Sequence, residues 1–214
     1  MTETLVETGY GVEAPEMCWS ARRIYDRPLT GCFAEIDAAV ARLHADGFMA
    51  IVVGGHSLGG LVAVAYAATH EGLAGVVLLA PDGEPTDFNS HPRVAESVRR
   101  AAALMKAGQG DETVAFTDRV LGRDLTVQAT PRAFLSFLGP DSPLFPVRLI
   151  PNLGAPLFWA AGTKDSSQRD AAALFRMAPA NPLNRFQSVN AGHIATPGAA
   201  LVPLLDWLGH ISGN

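Results

Sequence analysis

The sequence predicts an α/β fold, a mostly parallel sheet flanked by helices, on three observations. Two continuous apolar runs, residues 48–53 and 76–80, have strand length and lack the alternation of a sheet with one wet face. An alanine-rich stretch between them, residues 61–70, has the length and composition of a helix. Strand, helix, strand in that order implies a parallel pair joined by a right-handed crossover.

The remaining elements follow in order. Ile36, Val40 and Leu43 recur at helical spacing, and Gly47 ends that helix before the first apolar run. The second run stops at Pro81-Asp82-Gly83. Residues 84–152 change character, with a helical stretch at 93–106, a break at 108–111 and prolines at 131, 140, 143, 146 and 151. No strand is evident there, so the segment reads as a helical lid inserted within a single domain spanning residues 1–214. Alternation then resumes, with a strand at 155–161 ending in Gly162-Thr163-Lys164-Asp165 and a helix at 169–177. A strand at 185–190 runs into Ala191-Gly192-His193, and an amphipathic helix at 201–211 follows.

Composition bounds the function. With 214 residues, 48% hydrophobic and 17% charged, the chain can bury one sizeable core and is not a disordered segment. Its net charge of −5 argues against a nucleic-acid partner, which needs a basic face. Cys18 and Cys32 are too few for a disulfide scaffold and lack zinc-ligand spacing, so they are expected as reduced, partly buried thiols. The first nine residues carry Glu3 and Glu7 and no basic-then-apolar stretch, and no run reaches the ~18 apolar residues of a membrane span. The expectation is a soluble, cytoplasmic protein of unassigned oligomeric state.

Chemistry concentrates in Gly55-His56-Ser57-Leu58-Gly59, which matches the G-x-S-x-G nucleophile elbow. A strand turning sharply into a helix leaves the serine in a strained backbone conformation. Side chains two residues to either side would collide, which demands Gly55 and Gly59. The following helix aims its first amides, Leu58 N–H among them, at a developing oxyanion. In a chain with 21 glycines the pattern alone is only moderately specific, and the competing reading is an ordinary glycine-rich turn. Its position between a buried strand and an alanine-rich helix favours the elbow, while the spacing fails both G-x-G-x-x-G and the P-loop. His56, inside the elbow, reads as packing beside the nucleophile.

A serine needs an oriented base. Asp165 and His193 each follow a strand, and in an open α/β sheet the carboxyl ends of the strands face one side. The order Ser57, Asp165, His193 suits a nucleophile, an orienting acid and a general base. His44, His70, His91 and His210 sit near helix ends, in the lid or in the last helix and compete poorly. Asp82, which ends the strand after the elbow helix, is a rival acid. Asp170 reads instead as a helix N-terminal residue complementing the dipole.

Together, Gly-His-Ser-Leu-Gly-Gly, Leu-Leu-Ala-Pro, Gly-Thr-Lys-Asp and Ala-Gly-His resemble the successive motifs of the α/β-hydrolase superfamily over nearly the whole chain. Residues 9–15 resemble that fold's fourth strand. The resemblance implies a serine esterase or lipase-like hydrolase acting on a small acyl substrate through an acyl-serine intermediate, with no metal or cofactor. It leaves thioesterase, amidase, lactonase or perhydrolase chemistry open, as well as a catalytically impaired binding protein. Phe134, Leu135, Phe137, Leu138 and Phe145 in the lid either face an apolar acyl group or pack the lid.

One family element lacks a counterpart. A strand ending in His-Gly, whose loop supplies an oxyanion donor, precedes the fourth strand in the family, and no His-Gly occurs before the elbow here. The expectation is therefore a shortened amino-terminal part. Either residues 11–14 pair beside 48–53, or the chain is a shortened version of a longer protein.

Overall fold

The computed structural model describes residues 1–213 apart from 86, 88, 89 and 121, so part of the segment 84–152 lies outside the described residues. In chain order its elements are α1 (Thr2–Glu7), α2 (Leu29–Ala45), β1 (Val52–Ser57), α3 (Leu58–Ala67), β2 (Gly75–Pro81) and α4 (Pro92–Lys106). Then come β3 (Val114–Val120), β4 (Arg123–Ala129), α5 (Pro131–Leu138), α6 (Pro146–Leu149) and β5 (Leu157–Gly162). The chain closes with α7 (Ala171–Phe175), β6 (Arg185–Val189), α8 (Thr196–Ala199) and α9 (Leu201–Ser212). Two compact units result. One comprises residues 1–14, 40–82 and 145–214, the other residues 15–39 and 83–144.

The first unit is built on a four-stranded parallel sheet in the order β1-β2-β5-β6. Every residue of β2 and β5 is buried, as expected for central strands covered on both faces. Alternation along them divides the core in two. Val76 and Leu78 pack with Trp159, Ile150 and the small residues Ala63, Val64 and Ala67 of α3. Val77 and Leu79 pack on the other face with Phe158 and with Leu204, Trp207 and Leu208 of α9. Each fully buried side chain of this size contributes ~1.5–3 kcal/mol, which anchors the strand ends that carry the site.

The structure corrects the expected amino-terminal arrangement. Residues 9–15 form no strand, and residues 11–14 do not pair with β1, which is the sheet edge. Gly11 instead lies against the Phe48 ring, where any Cβ would collide, and Glu13 is held by Arg42 at 2.7 Å. The apolar run at 48–53 becomes strand only from Val52. Phe48 and Met49 are exposed, because an edge strand has no neighbour on that side to cover its entry.

The second unit also departs from expectation, since the segment read as helical contains the antiparallel hairpin β3–β4. Gly122 in its turn has φ of +77°, a conformation glycine adopts without strain. The stacked rings of Phe116 and Phe134, 4.6 Å apart, join the hairpin to α5. Phe134, Phe137 and Leu138 are buried, as is Phe145 of the first unit, so all four pack rather than face solvent. The cysteines are not free thiols. Cys18 and Cys32 form a disulfide with Cα atoms 5.8 Å apart, both fully buried. Sequence spacing carried no sign of this pairing, because proximity depends on how residues 18–32 fold back. Among the described residues, no helix is long and apolar enough to cross a membrane.

Candidate active site

The elbow is a strand-to-helix junction with little room. Ser57 ends β1 at φ 56°, ψ −128°, a strained conformation for a residue with a side chain, and serves as the N-cap of α3. Any Cβ on Gly55 would run into the Gly59 carbonyl, and one on Gly60 would stand 3.1 Å from the Pro81 side chain. Strand pairing with β2 also slips between His56 and Ser57. These close approaches explain the glycines. They also lift the Ser57 side chain off the sheet while Leu58 opens the helix, where first-turn amides lack intrahelical partners.

Three loops at the carboxyl ends of the strands bring polar groups to this serine, all within the first unit. His193 follows β6, and its Nε2 lies 2.9 Å from Ser57 Oγ. Its Nδ1 lies 2.7 Å from Asp165 Oδ2, at the end of β5. Asp165 Oδ1 in turn accepts hydrogen bonds from the Ser167 amide at 3.0 Å and the Ser167 hydroxyl at 2.7 Å. The side chains of His193 and Asp165 are 17% and 6% exposed. Burial alone would raise the Asp165 carboxyl, but the hydrogen bonds from Ser167 and His193 outweigh it and hold the group below the usual aspartate range. Nδ1 therefore carries the proton toward an anion, and Nε2 is left to accept from Ser57.

Asp82 approaches the same serine from the end of β2, with Oδ2 3.3 Å from Ser57 Oγ. The single hydroxyl proton serves His193 or Asp82, one at a time. Asp165 is thus the carboxylate on the imidazole, and Asp82 the carboxylate on the Ser57 hydroxyl. Asp170 lies outside this group, as the N-cap of α7.

Two contributors escaped the sequence reading, and a third, His56, has a bond it did not foresee. Ser167 orients Asp165, and Asp-Ser-Ser at 165–167 is a turn signal that could have revealed it. Gln168 donates to the Pro81 carbonyl at 2.6 Å and accepts from Trp159 Nε1 at 3.1 Å, tying the Asp165 loop to the end of β2. No local pattern marks that long-range bond. His56, read as packing, donates from Nε2 to the His193 carbonyl at 3.0 Å.

A sequence model described as Alpha/beta hydrolase family matches residues 8–206. The chain belongs to the alpha/beta hydrolase family. Solved structures agree on the fold. One of the metagenome-derived lipolytic enzymes LipS and LipT is 17% identical at a TM-score of 0.66, covering 99% of this chain and 86% of that one. A putative hydrolase from Agrobacterium vitis S4 is 17% identical at 0.62, covering 99% and 80%. The monoacylglycerol lipase of Paleococcus ferrophilus is 17% identical at 0.60, covering 86% and 76%. No curated protein matches the sequence.

Proposed function

We propose that this alpha/beta hydrolase cleaves a carboxylic ester, or a related acyl bond, of a small acyl-bearing substrate through Ser57, His193 and Asp165. The observation that carries the reading is the continuous hydrogen-bond chain from Asp165 through His193 to Ser57. Ser57 Oγ attacks the carbonyl carbon as His193 Nε2 takes its proton, and Asp165 stabilises the imidazolium. The carbonyl oxygen becomes an oxyanion beside Leu58 N–H. Collapse expels the alcohol, which takes the proton from His193 and leaves acyl-Ser57. Water then attacks with His193 as base, releasing the acid and restoring the serine. No cofactor enters these steps. Lipases among the structures of like fold support an acyl substrate.

The test is labelling with a fluorophosphonate probe. The expected result is one adduct on Ser57, absent in Ser57→Ala. Undiminished labelling of that variant overturns the assignment.

A second reading, an impaired hydrolase that retains binding, is favoured by two observations. Among the described residues β1 has no neighbour on its outer edge, where the family's oxyanion loop would enter. Asp82 also sets a carboxylate beside the nucleophile, where its charge opposes an oxyanion. Loss of one oxyanion donor typically costs ~10²–10³ in rate, so slow labelling with undetectable ester turnover marks this alternative.

A further inference from the structure

Resting on the serine-hydrolase reading, we propose that His56 is a positioning residue that clasps the loop carrying the general base. β1 and β6 are the two outer strands of the four-stranded sheet, with β2 and β5 between them. Neighbouring strands lie ~4.8 Å apart, so a serine at the end of β1 and a histidine after β6 start ~14 Å from each other. The β6 loop must therefore fold back across two strand ends to bring His193 to Ser57. Its bonds toward β5, from the Thr163 amide to the Val189 carbonyl and from the Lys164 amide to the Ala191 carbonyl, secure only its stem.

At the His193 end, the hydrogen bond that reaches β1 through main chain rather than through the reacting groups is His56 Nε2 to the His193 carbonyl. That carbonyl also accepts the backbone N–H that closes the turn His193–Ala195, so its two lone pairs are both used. The clasp fixes the backbone of the base itself and not merely its loop. Because the acceptor is a carbonyl, His56 Nε2 must carry the proton.

The rings of His56 and His193 lie 4.8 Å apart at 44°. Burial holds His56 below the usual histidine value, although the bond to the His193 carbonyl and the carboxylates Asp82 and Asp165 pull upward and His193 adds to the lowering. A neutral His56 suits its place, since His193 becomes an imidazolium during the reaction and a second cation on the facing ring would oppose it. One side chain thus supplies a donor to the main chain of the base and an uncharged face to its ring.

The experiment compares wild type with His56→Gln, which keeps an N–H at similar reach, and with His56→Leu and His56→Phe, which keep bulk without a donor. Hydrolysis of p-nitrophenyl acetate and the rate of fluorophosphonate labelling are measured. So is the downfield proton resonance of His193 Nδ1–H. Displacement of a catalytic group by ~1 Å costs about 10²-fold, so the donorless variants are expected to lose kcat on that scale with KM little changed. They should also broaden or shift the Nδ1–H resonance, while His56→Gln stays within a few-fold of wild type and keeps it. Equal activity and equal spectra in Gln and Leu variants overturn the proposal, and so does equal loss in both. If Leu and Phe do not fold, a His56→Gln spectrum and kcat unlike wild type overturn it. Failure of wild type to label counts against the hydrolase reading, whereas the Nδ1–H resonance reports the clasp without turnover.

Discussion

Asp165 in the first unit is partly buried and Asp118 in the second is almost wholly buried, and the two are held in opposite directions. Asp165 receives an amide, a hydroxyl and an imidazole N–H, and together they pull it below the ordinary aspartate value. Asp118 receives the Tyr25 hydroxyl at 2.8 Å and the Arg119 amide at 2.6 Å, and burial outweighs them and pushes it up. The deeper of the two carboxyls is thus the one away from the proposed site, so depth of burial alone does not mark that site. The two carboxyls also point differently: Asp165 toward a histidine that reaches Ser57, Asp118 toward a tyrosine packed on Phe137.

The sharpest way to break this contrast is to neutralise each carboxylate. Asp165→Asn keeps an acceptor for Ser167 but turns an amide N–H toward Nδ1, which selects the wrong tautomer of His193. A loss of about 10⁴ in kcat is expected, measured on an activated ester with the folded state checked by thermal unfolding. Asp118→Asn touches no member of the proposed site and should leave kcat within a few-fold. Comparable losses in both variants would erase the distinction.

Next in size is the disulfide. Cys18 and Cys32 are 14 residues apart, and closing a loop of this length stabilises by ~3 kcal/mol through the unfolded chain. The double variant Cys18→Ser, Cys32→Ser should lower the urea-unfolding free energy by about that amount, and wild type in reductant should match it. An unchanged free energy in both would show that the crosslink contributes nothing.

The two units also differ in how far the sequence discloses them. The first was legible because its central strands are apolar on both faces and its polar groups cluster at strand ends beside glycine and proline. The 75–81 and 157–162 strands and the Ser57, Asp165 and His193 loops all announce themselves this way. The hairpin of the second unit was masked by its polar composition, with Phe116, Asp118, Val127 and Ala129 buried among exposed or half-exposed neighbours. A charged residue on the buried face broke the pattern at the one position where Tyr25 makes burial tolerable. The disulfide and the His56 bond depend on distances between remote segments, which no local pattern encodes.

Tyr25→Phe gives a smaller effect and probes Asp118 directly. The phenylalanine keeps the ring contacts and removes the donor, leaving a buried carboxylate oxygen short of its hydrogen bond. A cost of about 1–3 kcal/mol is expected where Asp118 is ionised, read from urea unfolding. The cost should shrink as the solution is acidified, because a protonated Asp118 has less need of the hydroxyl. A constant difference across pH would show that Asp118 does not titrate in that range.

The pH dependence of stability separates the two carboxyls most finely. Asp165 has a folded value below its unfolded one, so its contribution is complete above the ordinary aspartate value and is lost as pH falls through the depressed value. Asp118 has a folded value above its unfolded one, so the folded state takes up the proton first. Its contribution is complete below the ordinary value and is lost as pH rises through the raised value. The windows therefore lie on opposite sides of the ordinary aspartate value. Unfolding free energies of wild type minus Asp165→Asn should climb with pH on the acid side. Wild type minus Asp118→Asn should decline with pH on the other side, down to a plateau above the raised value. Slopes of the same sign would mean that the hydrogen bonds at one of these carboxyls do not hold it as the geometry indicates.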